Sequence, residues 1–546
     1  MHEQQSRRRL QHSGESDLPS GFLTTSVSAV VVATAKRITN RTTIRLIGYT
    51  TLLLVIVSVI AVTTGVLVNS SKSGDGVNVN VTIVNNPNDN VNLPPSSPVV
   101  SASSLWNFEH RGSPIETSSE YFGQSIALSS DGSIISMTSN FFHETLVYKY
   151  AMEGNDWVQL GATLRHRIKP LNGEPFVNSR ICTSLNANGT IVAMGGNMIE
   201  DGVSPGMVQV FQYNADAGAA NDGDPWLPMG QNLTGNEVDG SDNYAHAVQL
   251  SSDGTILAVS SRTGGPTRAG EVHMYKYNTS SNSWISFGKI TTGEFVDYEN
   301  FGYAISISDD GYRIAIGSSN LNSGNSQVQV FEFHADVERV DDADGGIWLQ
   351  VGQHLTGFKH SIDFIPGFVG AGITFLGDYH LHSTPIALSG DGQSLAVGAS
   401  LSCDVDDIDT GCFRSYQLVV DTSFEGDLQH VWIKVGNDIY GDNSLDKFGH
   451  AVAISRDGQR VGIGAVGVPG YARLFALEEL GSDENEKQWV PWTDEKDEIR
   501  GSGYDDFGKA VSISSDGSVF AVSAPRRPNS VRNFGGVVEV YEAVPK

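Results

Sequence analysis

The stretch FGKAVSISSDGSVFAVSAP, Phe507–Pro525, reads as a strand, an Asp-Gly turn and a second strand. The chain carries seven versions of it. Their turn residues are Asp131, Asn188, Asp253, Asp310, Asp391, Asp457 and Asp516, each followed by Gly. Asp-Gly and Asn-Gly between apolar runs predict hairpins, here of type I′ with positive φ at both central residues.

Working outward, the register is constant. Three residues before the turn Asp or Asn stand Leu128, Leu185, Leu250, Ile307, Leu388, Ile454 and Ile513. Four and six residues after it are large apolar side chains, with a small residue between them in every copy. That alternation suits a strand packed on both faces. A Val-x-Val-Tyr type strand follows in each unit, for example Val272–Tyr277 and Val538–Tyr541. A strand opening on Trp completes it: Trp106, Trp157, Trp226, Trp284, Trp348, Trp432 and Trp489. Seven units of four strands predict an all-β fold, a seven-bladed β-propeller with four-stranded blades over residues 105–546. The chain enters on a Trp strand and leaves after a Val-Tyr strand. The Trp106 strand is therefore expected to complete the last blade and tie both ends of the ring together.

Phe122-Gly123, Phe301-Gly302, Phe448-Gly449 and Phe507-Gly508, with Ala396–Ala399 and Ala521–Pro525 downstream, resemble FG-GAP repeats, those of the integrin α-subunit propeller. The resemblance spans about residues 105–543 and implies a binding or adhesion module for a protein or glycan partner. Integrin loops often carry Asp-x-Asp-x-Asp-Gly calcium sites. Here the same place reads SSDGS, SSDGT or SDDGY, too few carboxylates to cage calcium.

The N-terminal part differs in character. Residues 1–45 form a basic polar tail with seven Lys and Arg against three acids. Residues 46–68, LIGYTTLLLVIVSVIAVTTGVLV, carry no charge and are long enough to span a bilayer of about 30 Å as a transmembrane helix. The positive charge before the span predicts a type II signal anchor, with a cytosolic N-terminus and an extracellular or lumenal propeller. Residues 69–104, rich in Asn, Pro and Ser, are expected to be a flexible stalk. Sequons for N-glycosylation on that outer side are Asn69, Asn80, Asn188, Asn232 and Asn278. Cys403 and Cys412 bracket an acidic loop and fit a local disulfide. Cys182 occupies a small-residue place filled by Ala in other units, as a structural thiol would.

The whole chain has a net charge of −27, and residues 69–546 hold 28 Lys and Arg against 59 Asp and Glu. That disfavours nucleic acid and anionic lipid as partners. Eleven residues before the turn Asp, five units place an acid: Glu120, Asp242, Glu299, Asp446 and Asp505. These carboxylates read either as an acidic binding ring at the channel mouth or as acceptors serving each blade's own strand entry. Unit two departs from the pattern with Val177 and the basic Arg165–Lys169. Unit five has His380 within the enlarged stretch Gly357–Thr384. There Asp378, His380 and His382 could hold a transition metal, or the two histidines could simply be a surface pair. Ala215–Trp226 and Asp341–Trp348 look like calcium loops without a full motif. No cofactor is identified, and no nucleophile elbow, P-loop or dinucleotide fingerprint occurs. A sugar hydrolase or lyase using channel-mouth carboxylates, and a purely structural surface protein, remain the alternatives to a binding module.

Overall fold

In the computed structural model, the described residues are 66–73, 76–83 and 106–546, the last apart from 140–142, 166–179, 198–205, 220–223, 236–241, 292–299, 320–324, 336–345, 360–384, 402, 404–409, 422–428, 480–486, 493–498 and 531–532. The segment preceding the propeller is a separate unit. It contains a two-stranded antiparallel hairpin, Val66–Ser73 with Gly76–Ile83, in which Asn69 and Asn80 are direct register partners. The expected membrane span lies outside the described residues except for its last three, which begin this hairpin. No helix among the described residues is long and apolar enough to cross a membrane.

Residues 106–546 form seven antiparallel sheets, and in six of them the four main strands lie in chain order. Blade one runs Phe122–Leu128, Ile134–Ser139, Glu144–Ala151 and Asp156–Gln159. Blades two to six repeat this plan, starting at Arg180, Tyr244, Ala304, Ile386 and Phe448. Blade seven takes Val511–Ile513, Val519–Ala524 and Val537–Pro545 from the C-terminus and its outer strand, Trp106–His110, from the start of the domain. Trp106 pairs with Pro545 and His110 with Tyr541, so the ring closes as expected. The blades are four-stranded, as predicted, with a short fifth strand added to five of them.

The core is distributed over seven seams rather than gathered at one centre. Each hydrophobic cluster draws on two adjacent blades. One joins Val519, Ala521 and Val540 of blade seven to Ile135 and Met137 of blade one. The second strand of each blade supplies both of its seams, which explains its alternation of large and small residues. In blades one, three and seven it is buried at every position.

The turns differ from the expected type I′. Gly132 has φ of +64°, whereas Asp131 is absent from the positive-φ residues, as are its six counterparts. The Gly132 N–H donates to the Ser129 carbonyl at 2.9 Å. Ser129 Oγ accepts the Ile134 N–H at 2.9 Å and donates to Asp131 Oδ1 at 2.6 Å. Asp131 Oδ1 also accepts the Ser133 N–H. The Ser-x-Asp side chains therefore supply acceptors that a two-residue hairpin would take from its backbone, and only the glycine needs positive φ.

Next to each turn lies a feature the repeat pattern did not announce. The residue before each turn Asp or Asn donates its N–H to the carbonyl of its counterpart in the next blade. The order is Ser130, Ala187, Ser252, Asp309, Gly390, Arg456, Ser515 and back to Ser130, at 2.7 to 2.9 Å throughout. Seven main-chain hydrogen bonds thus close a circle around the channel. At about 0.5–1.5 kcal/mol each, they add a modest, cooperative term to the seams. Gly390 is the glycine of the ring because Arg456 Nε reaches over it to Asp309 Oδ2 at 2.5 Å, and a Cβ there would meet both side chains.

The Trp residues act as staples between blades. Trp157, Trp226, Trp284 and Trp432 donate their indole N–H to the carbonyls of Arg111, Leu160, Met229 and Val351 in the preceding blade, at 2.7 to 3.0 Å. A glycine of that preceding blade lies against each ring. A Cβ on Gly161 would stand 2.5 Å from Trp226 Cδ1. Trp489 donates instead to Ser415 Oγ at 2.8 Å, and Trp348 has no acceptor for its indole N–H among the described residues.

Candidate functional site: the crossover face

Antiparallel blades send their connections to two faces. The turn face carries the Asp-Gly turns and the hairpins between third and outer strands. The crossover face carries the second-to-third connections and the crossings into the next blade. The four described sequence-selected acids belong to the crossings.

Glu299 lies outside the described residues. The other four sit at the entries of inner strands. Asp242 Oδ1 accepts the Tyr244 N–H at 3.2 Å. Asp505 Oδ1 accepts the Phe507 N–H at 3.1 Å, and its Oδ2 accepts the Ser502 N–H at 2.8 Å and Arg527 Nε at 2.9 Å. Asp446 Oδ2 accepts the Asn443 N–H at 2.9 Å and the Tyr471 hydroxyl at 3.0 Å. Glu120 contributes its carbonyl, which accepts Ser139 Oγ at 2.7 Å. The three aspartates are buried. Asp242 and Asp505 are thus engaged by strand-entry N–H groups, Asp446 by its own crossing and by Tyr471 of the third strand, and Asp505 also meets Arg527 of its own blade.

The Phe-Gly pairs belong to the same device. Phe122, Phe301, Phe448 and Phe507 are wholly buried. The following glycines have φ between +77° and +90°. Blade three replaces the pair with Tyr244-Ala245, and Ala245 adopts φ of +60°.

Burial and charge tune the groups behind this face. Burial, then the Asp446 charge, pushes the Tyr471 hydroxyl up. Burial and Glu539 do the same to Tyr541. Burial alone brings His143 down to about 4. Arg527 is pulled down by burial, but Glu539 and Asp505 more than compensate and hold it charged.

What the repeat pattern missed is exposed apolar surface. Among the described residues, five of the eleven large exposed hydrophobic residues lie at the crossover ends of blades five to seven: Tyr440, Leu445, Val468, Tyr504 and Phe534. Tyr504 is 82% exposed and Leu445 63%. Phe534 stacks on Tyr121 of the next crossing, with centroids 6.0 Å apart and planes 3° from parallel. The Tyr121 N–H donates to the Phe534 carbonyl at 2.9 Å. Arg526 Nε binds Asp506 Oδ2 at 3.0 Å, joining this loop to the one bearing Tyr504. One signal was legible: Pro525–Gly536 is a connection with three Arg and no acid in an acidic chain.

Asp378, His380, His382 and Val177 lie outside the described residues, as does Lys169. Arg165 is exposed, with Nε 3.3 Å from Glu144 Oε2. Among the described residues no three His, Cys, Asp or Glu side chains come together as metal ligands. In the first calcium-like loop, Asp224 Oδ1 accepts the Trp226 N–H at 3.1 Å. Cys403 and Cys412 form the disulfide. Cys182 is a half-buried thiol outside the disulfide, with Sγ 3.6 and 3.5 Å from the carbonyl oxygens of Gly195 and Ala245.

No family model matches the chain, and no curated protein does. Solved structures similar to it include Kuenenia stuttgartiensis hydrazine synthase, with 13% identity, a TM-score of 0.42, and coverage of 80% of this chain and 99% of that one. The β-propeller domain of Myceliophteria thermophila Cps50 (Swd1) has 10% identity, a TM-score of 0.44 and the same coverage. A functionally unknown protein from Desulfotomaculum acetoxidans has 14% identity and a TM-score of 0.36, covering 73% of this chain and 88% of that one. None is close enough to transfer a site.

Proposed function

We propose that the chain is a membrane-anchored FG-GAP-type propeller that binds a protein or glycan partner outside the cytosol through its crossover face. The observation that carries this reading is the exposed aromatic and aliphatic set at the crossover ends of blades five to seven, extended to blade one by the Tyr121–Phe534 stack. Exposed apolar side chains gathered on one part of a surface mark interaction sites more often than scattered ones do. Tyr and Phe on connections held by a rigid scaffold lose little side-chain freedom on binding.

The anchor is the uncharged segment 46–68 behind a basic tail, which gives a type II orientation. The Cys403–Cys412 disulfide suits an oxidising compartment. Within the propeller, the outer strand of blade seven begins at Trp106, opposite Pro545.

The test is to present residues 100–546, one compact unit, to a glycan array and a surface proteome. Retention that falls on Tyr504→Ala and Phe534→Ala supports the reading. Retention of nothing at micromolar protein overturns it.

A further inference from the structure

Six of the seven turns carry Asp and one carries Asn. The difference is small in the fold and large in chemistry. In the Asp turns of blades one, three and seven, the hydroxyl two residues on reaches both carboxylate oxygens. Ser133 Oγ lies 2.8 Å from each oxygen of Asp131. Thr255 and Ser518 make the same pair of contacts to Asp253 and Asp516. In blade two, Thr190 Oγ1 and the Thr190 N–H both donate to Asn188 Oδ1 alone, at 2.5 and 3.0 Å. Asn186 replaces the usual Ser, and its Oδ1 accepts the Ile191 N–H at 2.8 Å. The turn is therefore held through Oδ1 of Asn188. Its Nδ2 makes no protein hydrogen bond among those described, and the residue is exposed.

Asn188-Gly189-Thr190 is also a sequon, the only one at a blade turn. A second, Asn278-Thr279-Ser280, lies on the same face, in the hairpin between the third and outer strands of the next blade. There too Oδ1 alone is engaged: it accepts the Ser280 and Ser281 N–H groups at 2.9 and 3.1 Å. Asn278 is exposed as well. Asn232 differs in place and partner. It lies beyond the outer strand of blade two, and its Oδ1 accepts Gln209 Nε2 at 3.3 Å.

We propose that Asn188 and Asn278 carry N-linked glycans that screen the turn face over blades two and three. The inference rests on the non-cytosolic placement proposed above. In the transfer, Asn Nδ2 forms a C–N bond to the anomeric carbon of a polyprenyl-diphosphate-linked oligosaccharide. The bond from that carbon to the phosphate oxygen breaks, the lipid diphosphate leaves with its electron pair, and Nδ2 gives up one proton to a base of the transferase. The modified side chain keeps Oδ1, so the turn retains every hydrogen bond described for it. Ala187, the main-chain ring residue of blade two, directly precedes Asn188. A glycan there starts on the turn face, away from the crossover face.

The test uses the full chain made in a eukaryotic secretory host. Amidase release in heavy-oxygen water converts each glycosylated Asn to a labelled Asp, read by peptide mass spectrometry. Label is expected at positions 188 and 278. Asn188→Asp and Asn278→Asp should each remove one gel-mobility step, and the double variant two. Both variants should fold, because at each position Asp keeps the Oδ1 acceptor, and at 188 Asp is also the residue of the other six blade turns. An intact thermal transition verifies this. Label at Asn69, Asn80 or Asn232 with none at Asn188 and Asn278 overturns the inference and leaves the topology standing. No label anywhere overturns both.

Discussion

The two faces of this propeller are built from the same seven blades and differ in what repeats. On the turn face the same contacts recur: a Ser or Asn before the ring residue, an Asp or Asn after it, a glycine, and a main-chain bond to the next blade. On the crossover face only the strand entry recurs, with its buried Phe or Tyr and its acid. The residues between entries vary, and at blades five to seven they expose Tyr440, Leu445, Val468, Tyr504 and Phe534. The contrast separates closure from recognition. A contact needed at all seven seams cannot distinguish a partner, whereas a set found at three or four blades can.

Changes that damage the seams should act on stability and leave the recognition surface to follow only through unfolding. The largest effect is expected for Trp226→Ala, which empties a buried site and removes the bond to the Leu160 carbonyl. A loss of about 3–5 kcal/mol in urea unfolding is expected. Gly161→Ala attacks the same staple from the other side, since its Cβ would meet the Trp226 ring at a φ of +78°. It should cost about 1–3 kcal/mol by the same measurement. Asp516→Ala removes the acceptor of Ser514 Oγ and of the Ser518 N–H and hydroxyl. It should cost about 1 kcal/mol. If these variants lost partner retention while remaining folded, the division between the faces would fail.

Acid gives a gentler probe of the same face. Burial pushes the carboxyls of Asp131, Asp253 and Asp516 up, but the Ser and Thr hydroxyl and N–H donors around each outweigh it and hold them below the ordinary range. A folded value below the unfolded one contributes stability that is fully present above the unfolded value. It is lost as pH falls through the folded one. The thermal midpoint should therefore hold near neutrality and decline below about pH 4. Asp131→Asn, Asp253→Asn and Asp516→Asn together should flatten that decline, because the turn of blade two already works with an amide.

The fold was legible because each blade repeats a hydrophobic period, a turn dipeptide and a Trp at fixed offsets. The Trp106 strand closing blade seven followed from element order alone. The turn type was not legible, since Asp-Gly serves two turn geometries and the choice was made by Ser129 and its counterparts two residues earlier. The ring through Ser130 to Ser515 was hidden for a related reason: it is a main-chain contact, and the side chains at those positions range from Gly to Arg. The acids at Asp242, Asp446 and Asp505 were found by pattern, and of the two readings given for them, the acceptor at each blade's own strand entry agrees with the bonds of Asp242 and Asp505. Tyr121 and Phe534 lie over 400 residues apart, so their stack could not be read along the chain.

The most direct test compares binding by residues 100–546 with that by the Tyr504→Ala, Phe534→Ala double variant, using whichever partner the array or surface proteome yields. Surface substitutions of this kind change stability by no more than about 0.5 kcal/mol, whereas loss of aromatic anchors weakens binding by about tenfold or more. The expected result is an unchanged thermal midpoint with at least that loss of retention. Full retention by a folded double variant would contradict the assignment of recognition to the crossover face.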